Sequence, residues 1–255
     1  MDKREFRGEL KSISPRNLIS EPPSEVDEFF LVLALIYNDL KSIIFSGYIR
    51  EDIYRATEKE EISVHAGEVY GLILFQAKIT ASTINEFLLF LAKNKSVLNN
   101  PLFQRVILRM RKDQLERWHE LQNLALDGET PNKSSYVYTL ARIRNNIGFH
   151  YDHSRKELKR GFAEFFGKEE ANDRNTRAYY TLDSEYGTME CTRFYYADAA
   201  AVQYITLRAR EVDDEGDSLN EFNDYARKME DTTKAMSGTI AALMDAYLSI
   251  KKGVR

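Results

Sequence analysis

Apolar residues recur about every 3.6 positions through most of this chain, with polar residues between them, and this spacing predicts α-helices. The first such segment follows Pro22 and Pro23, takes Ser24 as its N-cap, and runs to about Ser46. Apolar side chains also occupy the opposite side of this helix, at Leu31, Val32 and Leu35. We therefore expect the helix to be buried nearly all round, at the centre of a bundle.

Two further helices are predicted before residue 128. The second covers residues 63–95 and carries apolar residues along most of its length. The third begins with Asn100 as its N-cap and Pro101 at its first position, and it continues without a break to Asp127 and Gly128. Its apolar stripe is narrow and its other positions are charged, so we expect it on the surface of the bundle.

A fourth helix begins between Asn132 and Ser135 and ends at Gly167, either as one continuous helix or with a restart partway along. The sequence pattern changes after it. The segments RAYYTLDS and TMECTRFYYA are rich in aromatic and β-branched residues and predict a short β-hairpin, after which two more helices follow. The prediction is an all-α fold, a helical bundle of five or more long helices with a small β-hairpin insertion. The predicted parts are an N-terminal arm (1–22), the helical bundle (23–167), and the hairpin with C-terminal helices that pack on the same bundle (168–255).

Composition limits the classes of protein that fit. The 255 residues include only 5 prolines and 12 glycines, which favours long helices over turn-rich β structure. A single cysteine excludes an intramolecular disulfide and a zinc site built from several cysteines. The charged N-terminus lacks a signal-peptide core, and the densest apolar run, FFLVLALIY, is far shorter than the roughly 20 residues that span a bilayer. We therefore expect a cytoplasmic protein without a membrane anchor.

Charge is spread unevenly along the chain. The formal net charge of −4 argues against a protein that binds nucleic acid over its whole surface. Residues 142–160, however, carry six basic and two acidic side chains, whereas residues 211–231 carry nine acidic and two basic ones. Such runs are most often solvated helix faces. The basic run nevertheless overlaps the segment in which the hydrogen-bonding side chains concentrate.

That segment is ARIRNNIGFHYDHS, residues 141–154. The chain has no glycine-rich phosphate loop after a strand, no HExxH motif and no GxSxG elbow. Arg144 offers a permanent planar charge suited to phosphate oxygens, and His150 can accept and return a proton near neutral pH. These two groups suffice to cleave RNA without a metal, because the 2′-hydroxyl of RNA is already the nucleophile. We therefore predict no cofactor.

The spacing of the two residues leaves three arrangements open. On a regular helix Arg144 and His150 point about 120° apart, whereas Asn146, His150 and His153 share one face. Either the arginine reaches round the helix, or the backbone departs from helical geometry near Gly148, or two copies of the chain contribute to one site.

The motif RNNIGFH, residues 144–150, resembles the signature of the HEPN superfamily, in which an arginine and a polar residue are followed by a histidine. The resemblance covers roughly residues 24–167 and implies an HEPN-like helical bundle that forms a homodimer with its two motifs facing each other. It also implies a metal-independent endoribonuclease that cleaves RNA as a toxin or in antiviral defence. Arg144 and His150 would then be the catalytic pair, and Asn145 would orient them. Other superfamily members are non-catalytic binding modules, which is the alternative function.

The resemblance also bears on regulation. Some HEPN proteins pair with a nucleotidyltransferase antitoxin that modifies a tyrosine two residues after the histidine. Here Tyr151 follows the histidine directly, and Asp152 occupies the expected position. The sequence thus allows an antitoxin or regulatory protein as partner but departs from this particular pattern.

Four further residues are predicted to support the site or to bind RNA, namely Arg142, Asn146, Tyr151 and His153. A purely structural role for Arg144 and His150, as helix caps or ion-pair partners, is the competing interpretation. His150 and His153 are one helical turn apart and could form half of a metal site, but the sequence offers no clear third ligand. We therefore predict that no metal is bound.

Overall fold

The computed structural model describes residues 11–55, 63–128, 135–148, 154–166, 178–181, 193–210 and 218–253. Within these ranges the chain is mostly helical and forms no β-strand, which confirms the all-α prediction. The described helices are, in chain order, α1 (Pro15–Leu18), α2 (Glu25–Arg55), α3 (Val64–Lys93), α4 (Lys95–Leu98), α5 (Pro101–Ile107), α6 (Lys112–Asp127), α7 (Tyr136–Ile143), a π-helical turn (Arg144–Gly148), α8 (Ser154–Phe166), α9 (Tyr195–Arg210) and α10 (Ser218–Gly253).

One hydrophobic core joins these helices. α3 packs against α2, α6, α7, α9 and α10, while α10 also packs along α2, α6 and α9. α8 packs most extensively on α9. The bulkiest fully buried side chains are Trp118, Tyr204, Tyr247, Phe30, Phe87 and Phe103. Since these come from α2, α3, α5, α6, α9 and α10, the C-terminal helices share the core with the N-terminal ones.

α2 is longer than predicted, because it continues to Arg55 instead of ending near Ser46. Gly47 lies inside this helix, and its lack of a side chain leaves room for Gln76 of α3. A Cβ at Gly47 would lie 2.6 Å from Gln76 Nε2. The part Glu25–Arg50 is long and apolar enough to cross a membrane. Core helices of soluble proteins meet the same criteria of length and composition.

The predicted burial of α2 on all sides is wrong. Leu33 and Leu40 are fully buried, but Leu31 and Leu35 on the opposite side are 57% and 62% exposed, and Val32 is 37% exposed. The apolar residues of α2 occupy two faces, and only one of them packs against α3 and α10.

The third predicted helix is also wrong, because it is divided into α5 and α6. Asn100 caps α5 as predicted, its side chain accepting a hydrogen bond from Leu102 N at 2.9 Å. The chain then turns at Leu108, which is 84% exposed. α6 starts anew after Arg111, whose backbone N–H donates to Gln114 Oε1 at 3.0 Å. This local hydrogen bond satisfies a backbone donor at the helix start and favours a second helix over continuation of the first.

The segment before α2 is attached to the last helix through a buried carboxylate, that of Asp27. Its Oδ1 accepts a hydrogen bond from the Tyr247 hydroxyl at 2.7 Å and lies 2.6 Å from Lys251 Nζ. Its Oδ2 accepts from the backbone N–H and the hydroxyl of Ser20, at 3.0 and 2.7 Å. Burial alone would raise the pKa of Asp27, but Lys251 and the hydrogen bonds from Ser20 and Tyr247 hold it well below its usual value. The carboxylate therefore stays charged inside the protein.

Only the ends of the predicted β-hairpin lie among the described residues. Thr181 and Arg193 form an antiparallel bridge, with backbone hydrogen bonds of 2.8 and 3.0 Å in the two directions. Residues 182–192, which would complete the hairpin, lie outside the described ranges. The hairpin stays a prediction, and so do the domain boundaries at residues 22 and 167.

Candidate functional site

The candidate motif begins on a π-helical turn. α7 is capped by Ser135, whose side chain accepts a hydrogen bond from Tyr138 N at 3.2 Å, and the α-helix ends at Ile143. Residues Arg144–Gly148 then form the π-helix. The backbone thus departs from regular helix at Gly148, which is one of the three arrangements that the motif spacing allows. Single π-helical turns are rare and occur frequently at functional sites.

Gly148 lets this turn lie close to α3. The residue is buried, and a Cβ at its position would lie 3.2 Å from Ser82 Oγ and 3.4 Å from the carbonyl oxygen of Ile143. Any larger residue would have to displace Ser82, so the lack of a side chain here fixes how closely the motif approaches α3.

Arg144 is held at the edge of the turn by two side-chain oxygens. Its Nε lies 2.7 Å from Glu86 Oε1 on α3, and its Nη1 donates to Asn145 Oδ1 at 2.9 Å. About a third of the Arg144 side chain, 33%, stays exposed, and Asn145 is exposed beside it. The structure therefore brings together two of the three predicted catalytic residues, with a guanidinium that is both oriented and accessible.

Arg142 and Asn146, two residues before and after Arg144, belong to a buried hydrogen-bond network. The guanidinium of Arg142 can only donate, so the carboxamide of Asn146 must present its oxygen to it. In that orientation Asn146 Oδ1 accepts from Arg142 Nε at 3.0 Å and from the Tyr204 hydroxyl at 2.8 Å. Arg142 Nη2 also lies 2.6 Å from Glu157 Oε1 on α8. Asn146 is only 6% exposed, so it fits a supporting role through Tyr204 and Arg142.

We expect Tyr204→Phe to lower the free energy of unfolding by about 1 kcal/mol, because Asn146 loses one of its hydrogen bonds in a buried site. For a chain of this size the unfolding midpoint should fall by roughly 2–4 °C, measured by thermal denaturation. Tyr195→Phe on the same helix is the matched control, since the Tyr195 hydroxyl reaches its acceptors only at 3.5 Å. Equal midpoints for the two variants would show that the network contributes nothing to stability.

Three predicted site residues, His150, Tyr151 and His153, lie outside the described residues. The distance between Arg144 and His150, and the shared face of His150 with Asn146, therefore stay predictions. Within the described ranges no group of three or more His, Cys, Asp or Glu side chains converges on one point that could hold a metal.

A second set of charged side chains joins α3 to the start of α9, and none of its residues belongs to a motif that the sequence predicts. Arg193 Nη1 lies 2.8 Å from Glu68 Oε2, and its Nη2 lies 3.0 Å from Asp198 Oδ2. Burial lowers the pKa of the nearby Lys78 ammonium, which Asp198 partly offsets. Arg193 and Glu68 are 125 residues apart in the chain, so no local pattern could have paired them.

No protein-family model matches the chain, and neither the curated proteins nor the solved structures contain a significant match. The functional interpretation therefore depends on the residues of this chain and on the motif that they form.

Proposed function

We propose that this protein is a metal-independent endoribonuclease of the HEPN type that acts in toxin–antitoxin or antiviral defence. The observation that carries the proposal is the placement of Arg144, whose guanidinium is partly exposed on a π-helical turn and is fixed by Glu86 and Asn145. An oriented and accessible guanidinium is suited to bind a phosphate group. The RNNIGFH motif supplies His150, the acid–base group that such a reaction needs.

In the proposed reaction the 2′-oxygen of RNA attacks the adjacent phosphorus, and the bond to the 5′-oxygen breaks. The products are a 2′,3′-cyclic phosphate and a 5′-hydroxyl. Two protons move in this step, one from the 2′-hydroxyl and one to the leaving 5′-oxygen. His150 transfers one of them and solvent water exchanges the other, while Arg144 stabilises the negative charge that develops on the phosphate oxygens. Asn145 orients Arg144 through the hydrogen bond described above. No cofactor or metal takes part in this proposal.

RNA is the proposed substrate, and a homodimer with facing motifs in the cytoplasm is the proposed assembly. Arg142 and Asn146 support the site from within the fold, since both belong to the network with Tyr204. Tyr151 and His153 are the residues proposed to contact RNA or a regulatory protein such as an antitoxin.

A non-catalytic helical binding module is the second candidate function. The observation that favours it is that both arginines of the segment are engaged by carboxylates, Arg142 by Glu157 at 2.6 Å and Arg144 by Glu86 at 2.7 Å. Ion pairs of this kind can connect helices without taking part in any reaction.

Cleavage of RNA by the purified protein distinguishes the two functions. We expect His150→Ala to reduce cleavage by about 10²–10⁴-fold, because general acid–base catalysis contributes that much to rate. Excess EDTA should leave the wild-type rate unchanged. Expression of the wild type should be toxic, and expression of His150→Ala should not be.

His119→Ala is the matched control, because His119 is an exposed histidine on α6 whose loss should affect neither cleavage nor toxicity. The binding-module function would be favoured if RNA stays intact with wild-type protein, with and without added divalent metal, while His150→Ala folds normally.

A further inference from the structure

The surface of α8 is basic and aromatic. Among the described side chains of this helix, the exposed ones are Lys156, Lys159, Arg160, Phe162, Ala163 and Phe165. Neither of its acidic side chains is exposed, since Glu157, the partner of Arg142, is 13% exposed and Glu164 is half-buried. α6 differs, because its exposed side chains carry both signs of charge, at Lys112, Asp113, Glu116, Arg117 and Glu120. Solvated surfaces usually mix the two signs, so the surface of α8 is unusual for a protein with a net charge of −4.

Lys156, Lys159 and Phe162 form a row along this surface, and we call these three residues the α8 row. Each is three residues from the next, so neighbouring members lie about 60° apart around the helix and the row rises by about 9 Å along it. Phe162 is 41% exposed, although its ring also contacts that of Phe166. Proteins that bind single-stranded nucleic acid combine positive charges, which contact phosphates, with aromatic rings, on which bases stack. The α8 row has both.

The α8 row lies beside the candidate motif. α8 packs against the π-helical turn Arg144–Gly148, and Glu157 in its first turn lies 2.6 Å from Arg142 of the motif segment. Lys156 is the neighbour of Glu157, and α8 begins four residues after His150 in the sequence. An RNA strand with one phosphate at Arg144 therefore has the surface of α8 next to it.

We propose that the α8 row binds the part of a single-stranded RNA that flanks the cleaved bond. Lys156 and Lys159 each pair with a phosphate, and a base stacks on Phe162. The choice of RNA as ligand rests on the proposed ribonuclease function, and the row adds affinity for the strand without touching a reacting atom. Because every nucleotide has a phosphate and a base with a π-face, the row adds this affinity without sequence preference.

An anionic membrane is the other surface that basic and aromatic side chains can contact. A helix that lies on a membrane buries a broad apolar face in it. On α8 the apolar face is already occupied, because Leu158 packs against the core and Gly161 lies against Ala200 of α9. RNA is therefore the favoured ligand.

RNA binding with and without the two lysines tests the proposal. The probe is a fluorescein-labelled single-stranded RNA of mixed sequence and about 20 nucleotides, and His150→Ala is the background, so that binding is measured without cleavage. We expect Lys156→Gln with Lys159→Gln to raise the dissociation constant about 5–10-fold. The slope of log affinity against log salt should become shallower by about 1.4, because each phosphate contact on a single strand contributes about 0.7.

Lys112→Gln with Lys252→Gln in the same background is the matched control. These lysines are exposed on α6 and α10, and their loss changes the net charge of the protein by the same amount. The dissociation constant and the salt slope should both stay as in the parent. Equal losses of affinity in the two double variants would overturn the proposal, since net charge alone would then account for binding.

Phe162→Leu tests the stacked base. Leucine keeps an apolar side chain against Phe166 but has no ring, so affinity should fall about tenfold. The salt slope should stay unchanged, because no charge is removed. Circular dichroism should show equal helix content in all variants. An affinity equal to that of the parent would contradict the stacking of a base on Phe162.

Cleavage by the protein with His150 in place separates this inference from the proposed ribonuclease function. Lys156→Gln with Lys159→Gln should raise KM about 5–10-fold and leave kcat unchanged, because the lysines hold the strand equally in the ground state and the transition state. RNA that is cleaved by the wild type but bound equally by all variants would overturn the role of α8 alone. RNA that stays intact yet binds through Lys156 and Lys159 would overturn the ribonuclease and support the α8 row.

Vesicles of phosphatidylcholine and phosphatidylglycerol measure membrane binding with the same variants. Vesicle binding that needs Lys156 and Lys159, in a protein that does not bind the RNA probe, would overturn the proposal in favour of a membrane surface. We expect no such binding.

Discussion

Asp27→Asn is expected to lower the free energy of unfolding by about 3 kcal/mol, because removal of one partner from a buried ion pair leaves the other charge uncompensated. The side chain of Asp27 is 0% exposed, and that of Lys251, 2.6 Å away, is 12% exposed. The substitution also turns an oxygen that accepts from Ser20 or Tyr247 into a donor. Urea denaturation at neutral pH measures the loss. Asp113→Asn is the matched control, since the Asp113 ion pair with Arg111 is exposed and should leave the midpoint unchanged.

The same carboxylate predicts a pH dependence. The pKa of Asp27 in the folded protein lies below its value in the unfolded chain, about 3.9. Its contribution to stability is therefore complete above a pH of about 5, and it is lost progressively as the pH falls through 4 towards the folded pKa. Asp27→Asn should lose less stability than the wild type over this acid range, because its side chain does not titrate. Parallel pH profiles for the two proteins would show that Asp27 gains nothing from Lys251 and Tyr247.

Gly161→Ala is expected to cost about 2–3 kcal/mol, because the new methyl group overpacks a close helix contact. A Cβ at Gly161 would overlap the carbonyl oxygen of Ala200 and would lie 3.1 Å from Tyr204 N, so α8 and α9 would have to move apart. Backbone atoms cannot rotate away as a flexible side chain can. α8 carries Glu157 and α9 carries Tyr204, so this shift should also weaken the network behind Arg144.

Gly238→Ala on α10 is the same chemical change, but it is expected to raise the stability of the protein instead of lowering it. The nearest atom to a Cβ at Gly238 is Arg117 Nη1 at 3.6 Å, an ordinary contact distance. Alanine is favoured over glycine inside a helix, so this variant should gain roughly 0.5–1 kcal/mol. If Gly161→Ala were as stable as Gly238→Ala in chemical denaturation, α8 and α9 could not be packed as closely as described.

The fold class was predictable because helix formation is governed by neighbours in sequence. Asn100 and Ser135 cap their helices through hydrogen bonds to residues two and three positions on, and such contacts can be recognised from spacing alone. The division of the third helix after Leu108 was missed, because the apolar spacing continues through residues that do not remain helical.

The candidate site was predictable only in part, because only some of its contacts join residues that are neighbours in sequence. Arg144 and Asn145 are adjacent, and their hydrogen bond needs no tertiary information. Glu86 and Tyr204 reach the motif from α3 and α9, and Tyr204 is 58 residues away from Asn146. Ordinary glutamates and tyrosines on long helices carry no local mark that would pair them with a distant arginine or asparagine.

Hydrophobic periodicity by itself determined that the protein is helical, and the residue types alone showed that hydrogen-bonding side chains concentrate in residues 141–154. Only the tertiary structure decided which apolar face of α2 is core, since Leu33 and Leu35 are equally apolar and only Leu33 is buried. It likewise decided that Asp27 is buried against Lys251 and Tyr247 instead of lying in a solvated first turn. The physical reason is that period and capping are set within a few residues, whereas burial depends on which distant helices pack against each face.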